Sequence, residues 1–208
     1  MGGRAYGASG MGGISLVSRQ VLTERLRLAP IGAEHVAELV AIHQDPWIAE
    51  WYAGPWSAAR AEAFARNCAQ GWAVDGAAKW IAYDRRTGAL AGRGGLSRMA
   101  AGAARSQIAV LAGPTWAQGR LELGWAVLEA FRGRGLAAEI GRAGLGFAFD
   151  VLGAHTVVSF TERHNMASRK VMERLGMRWA GEITARGLID GKSGEHDDAP
   201  FAVYAIGR

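Results

Sequence analysis

The feature that most constrains this fold is a strand that leads through a short turn into a helix opened by glycines. Residues 121–128 are predicted as a strand, and residues 135–152 carry an apolar stripe at helical spacing. Gly133 and Gly135 lie between them. A helix start offers free backbone N–H groups and the positive end of the helix dipole, and glycine lets the backbone approach a ligand closely. The sequence therefore predicts an anion site at this turn.

Three interpretations of the turn compete. The first is an ordinary glycine-rich turn that binds nothing. The second is a dinucleotide site, because Gly133-x-Gly135-x-x-Ala138 matches that fingerprint. The fingerprint, however, belongs directly after the first strand of a doubly wound sheet, whereas here an antiparallel hairpin precedes it. Elsewhere in the chain, Gly191-Lys192-Ser193 could suggest a P-loop. That match is weaker, because the upstream glycine is missing and no helix pattern follows. The third interpretation is an acyl-coenzyme A site.

The rest of the chain has the pattern of an α/β or α+β sheet protein, with strand pairs first and then β-α-β-α-β. Further strands are predicted over residues 26–28, 79–83, 90–99, 156–160, 177–185 and 201–206. Further helices are predicted over residues 35–42, 57–70 and 165–175. Two stretches are predicted as loops, namely the Trp- and Tyr-rich residues 46–55 and the Ala-, Gly- and Ser-rich residues 100–120.

Length and composition favour one globular domain. Half of the 208 residues are hydrophobic and 21% are charged, and no apolar run reaches the ~18 residues of a membrane helix. Residues 1–13 are glycine-rich and lack the apolar segment of a secretory signal. We therefore expect a disordered or non-native tail over residues 1–20 and a single domain over residues 21–208.

Cysteine, histidine and charge usage narrow the possible partners. Cys68 is the only cysteine, and the five histidines show no metal-binding spacing, so we expect a reducing cytoplasm and no metal. The net charge is +5, but the arginines are scattered singly. Scattered charge is weak support for a nucleic-acid-binding protein, so we expect neither a nucleic acid nor a membrane as partner.

The order of these motifs resembles that of the GNAT acetyltransferase superfamily, over roughly residues 21–180. The turn matches its pyrophosphate loop as Arg132-x-x-Gly135-x-Ala137. A helix follows with Asn165-x-x-Ser168-x-x-Val171-Met172-x-x-Leu175-Gly176-Met177. The lead-in Leu22-Thr23-Glu24-Arg25-Leu26-Arg27-Leu28 is typical of the RimJ/RimL-like branch. The resemblance implies a mixed, mostly antiparallel twisted sheet with a splayed parallel strand pair and flanking helices.

The resemblance also implies acetyl-CoA as co-substrate and a set of residues that bind it. The strand residues expected to pair with the pantetheine arm are Ala126, Val127 and Leu128. The loop residues expected to surround the pyrophosphate are Arg132, Gly133, Arg134, Gly135, Leu136 and Ala137. Asn165 is expected to cap its helix and to contact the pantetheine, and Ser168 lies beside it.

Acyl transfer from a thioester to an amine needs an oxyanion donor, a route for the amine proton and a proton donor for the leaving thiolate. Glu122 is the predicted base, because alternation places it on the same strand face as Gly124 and Ala126. Ser168 is the predicted proton donor to the thiolate. Many relatives have a tyrosine as the acid where this chain has Met172, and a thioether cannot donate that proton.

The acceptor pocket is expected between the first two helices. Trp47, Trp51 and Tyr52 form an aromatic group there and are predicted to bind the acceptor. The leading hypothesis is an N-acetyltransferase that acts on a protein N-terminus or a small amine. Analogy with relatives favours a homodimer. The alternative is a non-catalytic acyl-CoA-binding module of the same fold.

Overall fold

The protein is described by a computed structural model that covers residues 19–208. Of the expected tail over residues 1–20, residues 1–18 lie outside the described residues. An eight-stranded sheet with the order β1-β2-β3-β4-β5-β6-β8-β7 forms the centre of the molecule. Its strands are β1 (Val21–Leu22), β2 (Leu26–Pro30), β3 (Lys79–Asp84), β4 (Leu90–Arg98), β5 (Leu121–Val127), β6 (Thr156–Glu162), β7 (Arg178–Leu188) and β8 (Glu195–Gly207).

One strand pair differs from the rest of the sheet. β5 and β6 run parallel and are paired only at Glu122 and Val158, whereas every other neighbouring pair is antiparallel. Beyond Glu122 the two strands diverge, so the edge of β5 that faces β6 is left without a strand partner. The predicted fold class, a mostly antiparallel sheet with a splayed parallel pair, is confirmed.

Helices cover both faces of this sheet. They are α1 (Val36–Gln44), α2 (Pro46–Glu50), α3 (Ala58–Val74), α4 (Ala103–Gly119), α5 (Leu136–Gly146) and α6 (Met166–Arg174). α5 continues as a π-helical turn over Phe147–Val151. The predicted caps are present, because the Ser57 hydroxyl accepts from the Arg60 N–H and the Asn165 side chain accepts from the Ser168 N–H.

The prediction of a long loop over residues 100–120 was wrong, because most of this stretch is helix α4. Alanine has the highest helix propensity, but Ser106, Pro114 and the glycines of this stretch favour a loop, so propensity alone does not decide. Gly113 alone leaves the helical conformation, with a φ of 80°, and Pro114 follows it. α4 is held by packing, since Ile108 and Trp116 are fully buried against β6, β7 and β8.

The prediction of a continuous loop over residues 46–55 was also wrong. Residues 46–50 form the short helix α2. The Asp45 carboxylate accepts from the Trp47 and Ile48 N–H groups, and Pro46 occupies the first helical turn, where its missing N–H costs nothing. This cap fixes the direction in which the following tryptophans leave the backbone.

Candidate active site

A cavity of about 840 Å³ opens where β5 and β6 diverge. It extends from the glycine turn before α5, along β5, to a mouth lined by α2 and by the first turn of α6. Most of the predicted site residues lie in its wall: Trp47, Trp51, Tyr52, Glu122, Ala126, Val127, Arg132, Gly133, Gly135, Leu136, Ala137, Asn165 and Ser168. The fold therefore brings together residues that are up to 121 positions apart in the chain.

The glycine turn is shaped to receive an anion. Gly133 and Gly135 have φ angles of 72° and 77°, in the left-handed region where a side chain is strained. Within residues 19–208, no acceptor is bonded to the backbone N–H groups of residues 133–138. These donors lie at the start of α5, where the helix dipole adds a partial positive charge. The turn can therefore bind a phosphate through its main chain.

Two of the residues predicted to bind the cofactor are not in the cavity wall. The Leu128 N–H donates to the Ala91 carbonyl, at 3.0 Å, and is not free to pair with a ligand. The Arg134 side chain stacks over the Phe131 ring, while its carbonyl accepts from Arg25 at 2.7 Å. Leu128 is thus bonded to β4, and Arg134 is bonded to Arg25 of the lead-in.

The turn is braced by a buried carboxylate on α5. Glu139 is only 6% exposed, and it accepts from the Thr23 hydroxyl, the Arg25 N–H and the Arg25 guanidinium at 2.5–2.8 Å. Burial alone raises the pKa of Glu139, but the hydrogen bonds from Thr23 and Arg25 outweigh it and hold the pKa below its ordinary value. Thr23 and Arg25, which lie between β1 and β2, are thereby held against α5.

We expect Glu139→Ala to lower the free energy of unfolding by about 2 kcal/mol, because the charge-assisted hydrogen bonds of a buried carboxylate to Thr23 and Arg25 are lost. A depressed pKa means that this stability is present above the unfolded value and is lost as pH falls through the native one. The difference between the two proteins, measured by urea unfolding, should therefore shrink in acid. Glu62→Ala is the control, since Glu62 forms only an exposed pair with Arg66. An equal loss in both variants would contradict the brace.

Glu122 lies on the floor of the cavity in a cluster of polar groups. Its carboxylate is 2.7 Å from the Lys79 ammonium and 2.8 Å from the Ser97 hydroxyl. Lys79 also donates to the Gly95 carbonyl, at 2.9 Å. A side chain at Gly124 would meet the other Glu122 oxygen at 2.8 Å, so the carboxylate occupies the space that this glycine leaves free. Glu122 is thus oriented by two donors on one oxygen, and within the described residues the other oxygen has no donor.

Ser168 and Asn165 lie at the opposite wall, in the first turn of α6. The Asn165 N–H donates to the Glu162 carbonyl, and its side-chain oxygen accepts from the Ser168 N–H at 3.1 Å. The Asn165 amide nitrogen and the Ser168 hydroxyl keep their hydrogen-bonding capacity toward the cavity. Met172 is buried one turn further along the same wall.

Tyrosines are distributed away from this wall. Of the tyrosines within the described part of the chain, Tyr52 alone lines the cavity. The Tyr204 hydroxyl donates to Glu173, and the Tyr83 hydroxyl donates to Glu38. The wall near Met172 therefore offers the Ser168 hydroxyl rather than a phenol.

The aromatic residues of α2 form the mouth. Trp47 and Trp51 contact each other edge to face, and Trp51 lies against the His164 ring, 5.2 Å between centroids, so α2 and α6 meet at the mouth. The Arg132 guanidinium stacks over the Trp47 ring at 3.4 Å. Trp47, one of the predicted acceptor residues, is thus in direct contact with Arg132 at the start of the glycine turn.

Sequence reasoning missed three buried charged residues of the wall, Lys79, Arg93 and Glu162. Lys79 and Arg93 lie in the strands predicted over residues 79–83 and 90–99. A cation at a strand position that is buried is a signal for a site. Glu162 lies at the end of β6, where burial raises the pKa of its carboxyl group. Its place could not be read from one sequence because β7 and β8 bury it.

Over residues 19–208, no helix is both long and apolar enough to cross a membrane. In the same range, no group of three His, Cys, Asp or Glu side chains is arranged to hold a metal ion.

The fold is shared with solved acetyltransferase structures. An acetyltransferase from Agrobacterium tumefaciens is 22% identical, with 99% of this chain and 100% of that chain covered and a TM-score of 0.66. A GNAT-family acetyltransferase from Bacillus anthracis is 17% identical, with 90% and 98% covered and a TM-score of 0.65. A ribosomal-protein-S5-alanine acetyltransferase from Vibrio fischeri is 13% identical, with 90% and 96% covered and a TM-score of 0.66.

At these identities the structures establish the likeness of fold, and the family rests on the sequence itself. Residues 25–178 match the family model described as the acetyltransferase (GNAT) domain. The match covers well over half of the chain and includes the second half of the lead-in from Arg25, the glycine turn and the helix that carries Ser168. The chain belongs to the GNAT acetyltransferase family.

Proposed function

We propose that this protein is an N-acetyltransferase that transfers an acetyl group from acetyl-CoA to a primary amine in the cytoplasm. The observation that carries the proposal is one continuous cavity. It joins unpaired N–H groups at the glycine turn, an oriented carboxylate at Glu122 and a hydroxyl at Ser168. An anion site, a proton acceptor and a proton donor are the groups that acyl transfer to an amine requires.

The turn and the splayed strand fit coenzyme A. Arg132 and the N–H groups of residues 133–137 would hold the pyrophosphate, and Ala126 and Val127 would pair with the pantetheine along the open edge of β5. Asn165 would contact the same arm from α6. Acetyl-CoA supplies the acyl group as a thioester, which needs no covalent attachment to the enzyme.

Glu122 is proposed to accept the proton that the amine loses. Lys79 and Ser97 both bond to one oxygen of the carboxylate, which lines the cavity, and the other oxygen has no hydrogen-bond donor within residues 19–208. The demand on this base depends on the acceptor. Deprotonation at about pH 7 costs about 1 kcal/mol for an α-amino group and nearly ~5 kcal/mol for a lysine, from their reference pKa values. The site is therefore best suited to an α-amine.

Ser168 is proposed to donate a proton to the leaving thiolate. We expect Ser168→Ala to lower kcat by about 10- to 100-fold, and to change the Kd for acetyl-CoA by less than about 3-fold. Stopped-flow turnover and calorimetry separate the two quantities. Ser106→Ala is the control, because this hydroxyl bonds only to the Gly102 carbonyl on α4. Unchanged turnover in Ser168→Ala would assign the proton to water.

A non-catalytic acyl-CoA-binding module is the second candidate. It is favoured by Met172, which lies in the wall where many relatives have a tyrosine. Release of free thiol from acetyl-CoA, followed across a panel of α-amines, small alkyl amines and N-terminal peptides, distinguishes the two. Amine-dependent release supports the transferase. Tight acetyl-CoA binding without amine-dependent release supports the module, and no binding at all overturns both.

A further inference from the structure

Arg93 is a buried cation with no acidic partner. It is 4% exposed, yet no carboxylate within residues 19–208 lies within 4.0 Å of its guanidinium. Its one side-chain hydrogen bond runs from Nε to His43 Nε2, at 2.9 Å. Burial, and then the nearby Arg93 and Arg60 charges, lower the pKa of His43 to about 2, so the imidazole is neutral and compensates none of the charge. The positive charge of Arg93 is therefore unpaired within the described chain.

Three aromatic rings surround this cation. Its guanidinium carbon lies 4.8 Å from the centroid of the Phe64 ring, 5.2 Å from that of Tyr52 and 5.6 Å from that of Trp56. Ring faces stabilise a cation by about 0.5–2 kcal/mol each, whereas moving an ion out of water costs several kcal/mol. The rings hold the guanidinium in place without neutralising its charge. An anion in contact with the guanidinium would neutralise it.

Arg93 is part of the cavity wall, together with Phe64 and Tyr52. Trp51 lies in the same wall, and its buried indole N–H has no acceptor within the described residues. With Nε occupied by His43, the two terminal nitrogens of Arg93 remain, and this pair matches the two oxygens of a carboxylate. The mouth of the cavity therefore presents hydrogen-bond donors and a positive charge where an acceptor would enter.

The position of Arg93 relative to Glu122 sets the shape of such an acceptor. Arg93 lies directly opposite Ala126 in the β4–β5 register, and Ser97 lies opposite Glu122. The Arg93–Ala126 pair and the Ser97–Glu122 pair are four residues apart, about 13 Å along a strand. Gly124 lies between them and leaves the floor open. A small molecule can reach a cation at one end and a carboxylate at the other.

We propose that the acceptor is a small amine that also carries a carboxylate, which binds Arg93 while the amine points toward Glu122. This inference rests on the proposed transferase function and selects a small amino-acid-like substrate over a protein N-terminus. A single guanidinium matches a monoanion, whereas a phosphate would place excess negative charge in a cavity that also holds Glu122. The aromatic mouth favours an apolar body between the two charged groups.

The test is equilibrium binding, which does not depend on turnover. Calorimetry on the coenzyme A-bound protein compares acetate, isovalerate and phenylacetate with their neutral amides. At least one carboxylate should bind about 10-fold or more tightly than its amide, equivalent to about 1.4 kcal/mol. Equal affinities for every acid–amide pair would overturn the proposal, and this comparison needs only the unaltered protein.

Arg93→Met should abolish the carboxylate preference, with folding verified by circular dichroism. Arg60→Met is the matched control, because Arg60 stacks on the same Trp56 ring, at 4.8 Å, but is not in the cavity wall. It should keep the preference. A preference that survives Arg93→Met, or one lost equally in both variants, would overturn the proposal. Loss of acetyl-CoA binding in Arg93→Met, with the preference intact, would assign Arg93 to the cofactor instead.

Turnover adds an arm that separates this inference from the proposed function. 4-(Aminomethyl)phenylacetate, which carries its amine and its carboxylate at opposite ends of an apolar ring, should show kcat/KM about 10-fold or more above that of its amide and of 4-methylbenzylamine. If all three amines release thiol at equal kcat/KM, the transferase assignment stands and the carboxylate inference fails. If none does so while carboxylates still bind at Arg93, the anion site stands and the transferase assignment fails.

Discussion

Gly135→Glu should abolish acetyl-CoA binding, with the Kd raised by at least about 100-fold, or roughly 2.7 kcal/mol. Two effects act together. Gly135 has a φ of 77°, a conformation that costs other residues about 1–2 kcal/mol. The new carboxylate also lies at the helix start that we propose binds a pyrophosphate, so it repels the ligand and competes for the same N–H groups. Calorimetric titration with acetyl-CoA measures the change.

Gly153→Glu is the matched control for backbone strain. Gly153 also has a left-handed conformation, with a φ of 64°, and a side chain there meets no atom within 4 Å. It follows α5 rather than preceding it and is not in the cavity wall. This variant should lose a similar amount of stability and keep its acetyl-CoA affinity. If Gly135→Glu binds acetyl-CoA as tightly as the control does, the turn is not the cofactor site.

Glu122→Gln should lower kcat by about 100-fold or more, the usual effect of removing a positioned base. The amide keeps the shape of the side chain but cannot accept the amine proton. The loss should be greatest for strongly basic amines, because these depend most on the base. Steady-state kinetics with amines of graded basicity provide the measurement.

The Lys79 ion pair complicates this variant, because Lys79 is buried and would be left without its carboxylate. Removing one partner of a buried pair typically costs about 3–5 kcal/mol of stability. The double variant Lys79→Gln with Glu122→Gln removes both charges and should recover much of that stability while staying slow. Recovery of turnover in the double variant would show that Glu122 only neutralises Lys79.

The stretch from Trp125 to Ala137 could be interpreted from its own residues. Strand, glycine turn and helix are local features, and the conformations of Gly133 and Gly135 follow from what glycine alone permits. The caps at Ser57 and Asn165 are equally local, since each side chain bonds to a backbone group three residues away. The family assignment depended on these motifs and was confirmed.

The helix over Ala103–Gly119 shows where local interpretation failed. Its alanines favour a helix, but its glycines, its serine and Pro114 favour a loop, and no local signal decides between the two. Burial of Ile108 and Trp116 against three strands decided in favour of the helix. Helical stability of this kind comes mainly from packing, which a single sequence does not display.

The sequence by itself determined the glycine turn before α5 and the helix caps at Ser57 and Asn165, because each depends on neighbours within a few residues. Ser168 became a candidate through the family resemblance, which also supported Glu122. Only the tertiary structure placed Lys79 against Glu122, and Arg93 among aromatic rings with no acidic partner in residues 19–208. The Lys79 pairing joins β3 to β5 across 43 residues, and the hydrogen bond of Arg93 to His43 joins β4 to α1 across 50 residues. Whether a charge is paired or free depends on which distant elements bury it, and that is a property of the folded chain.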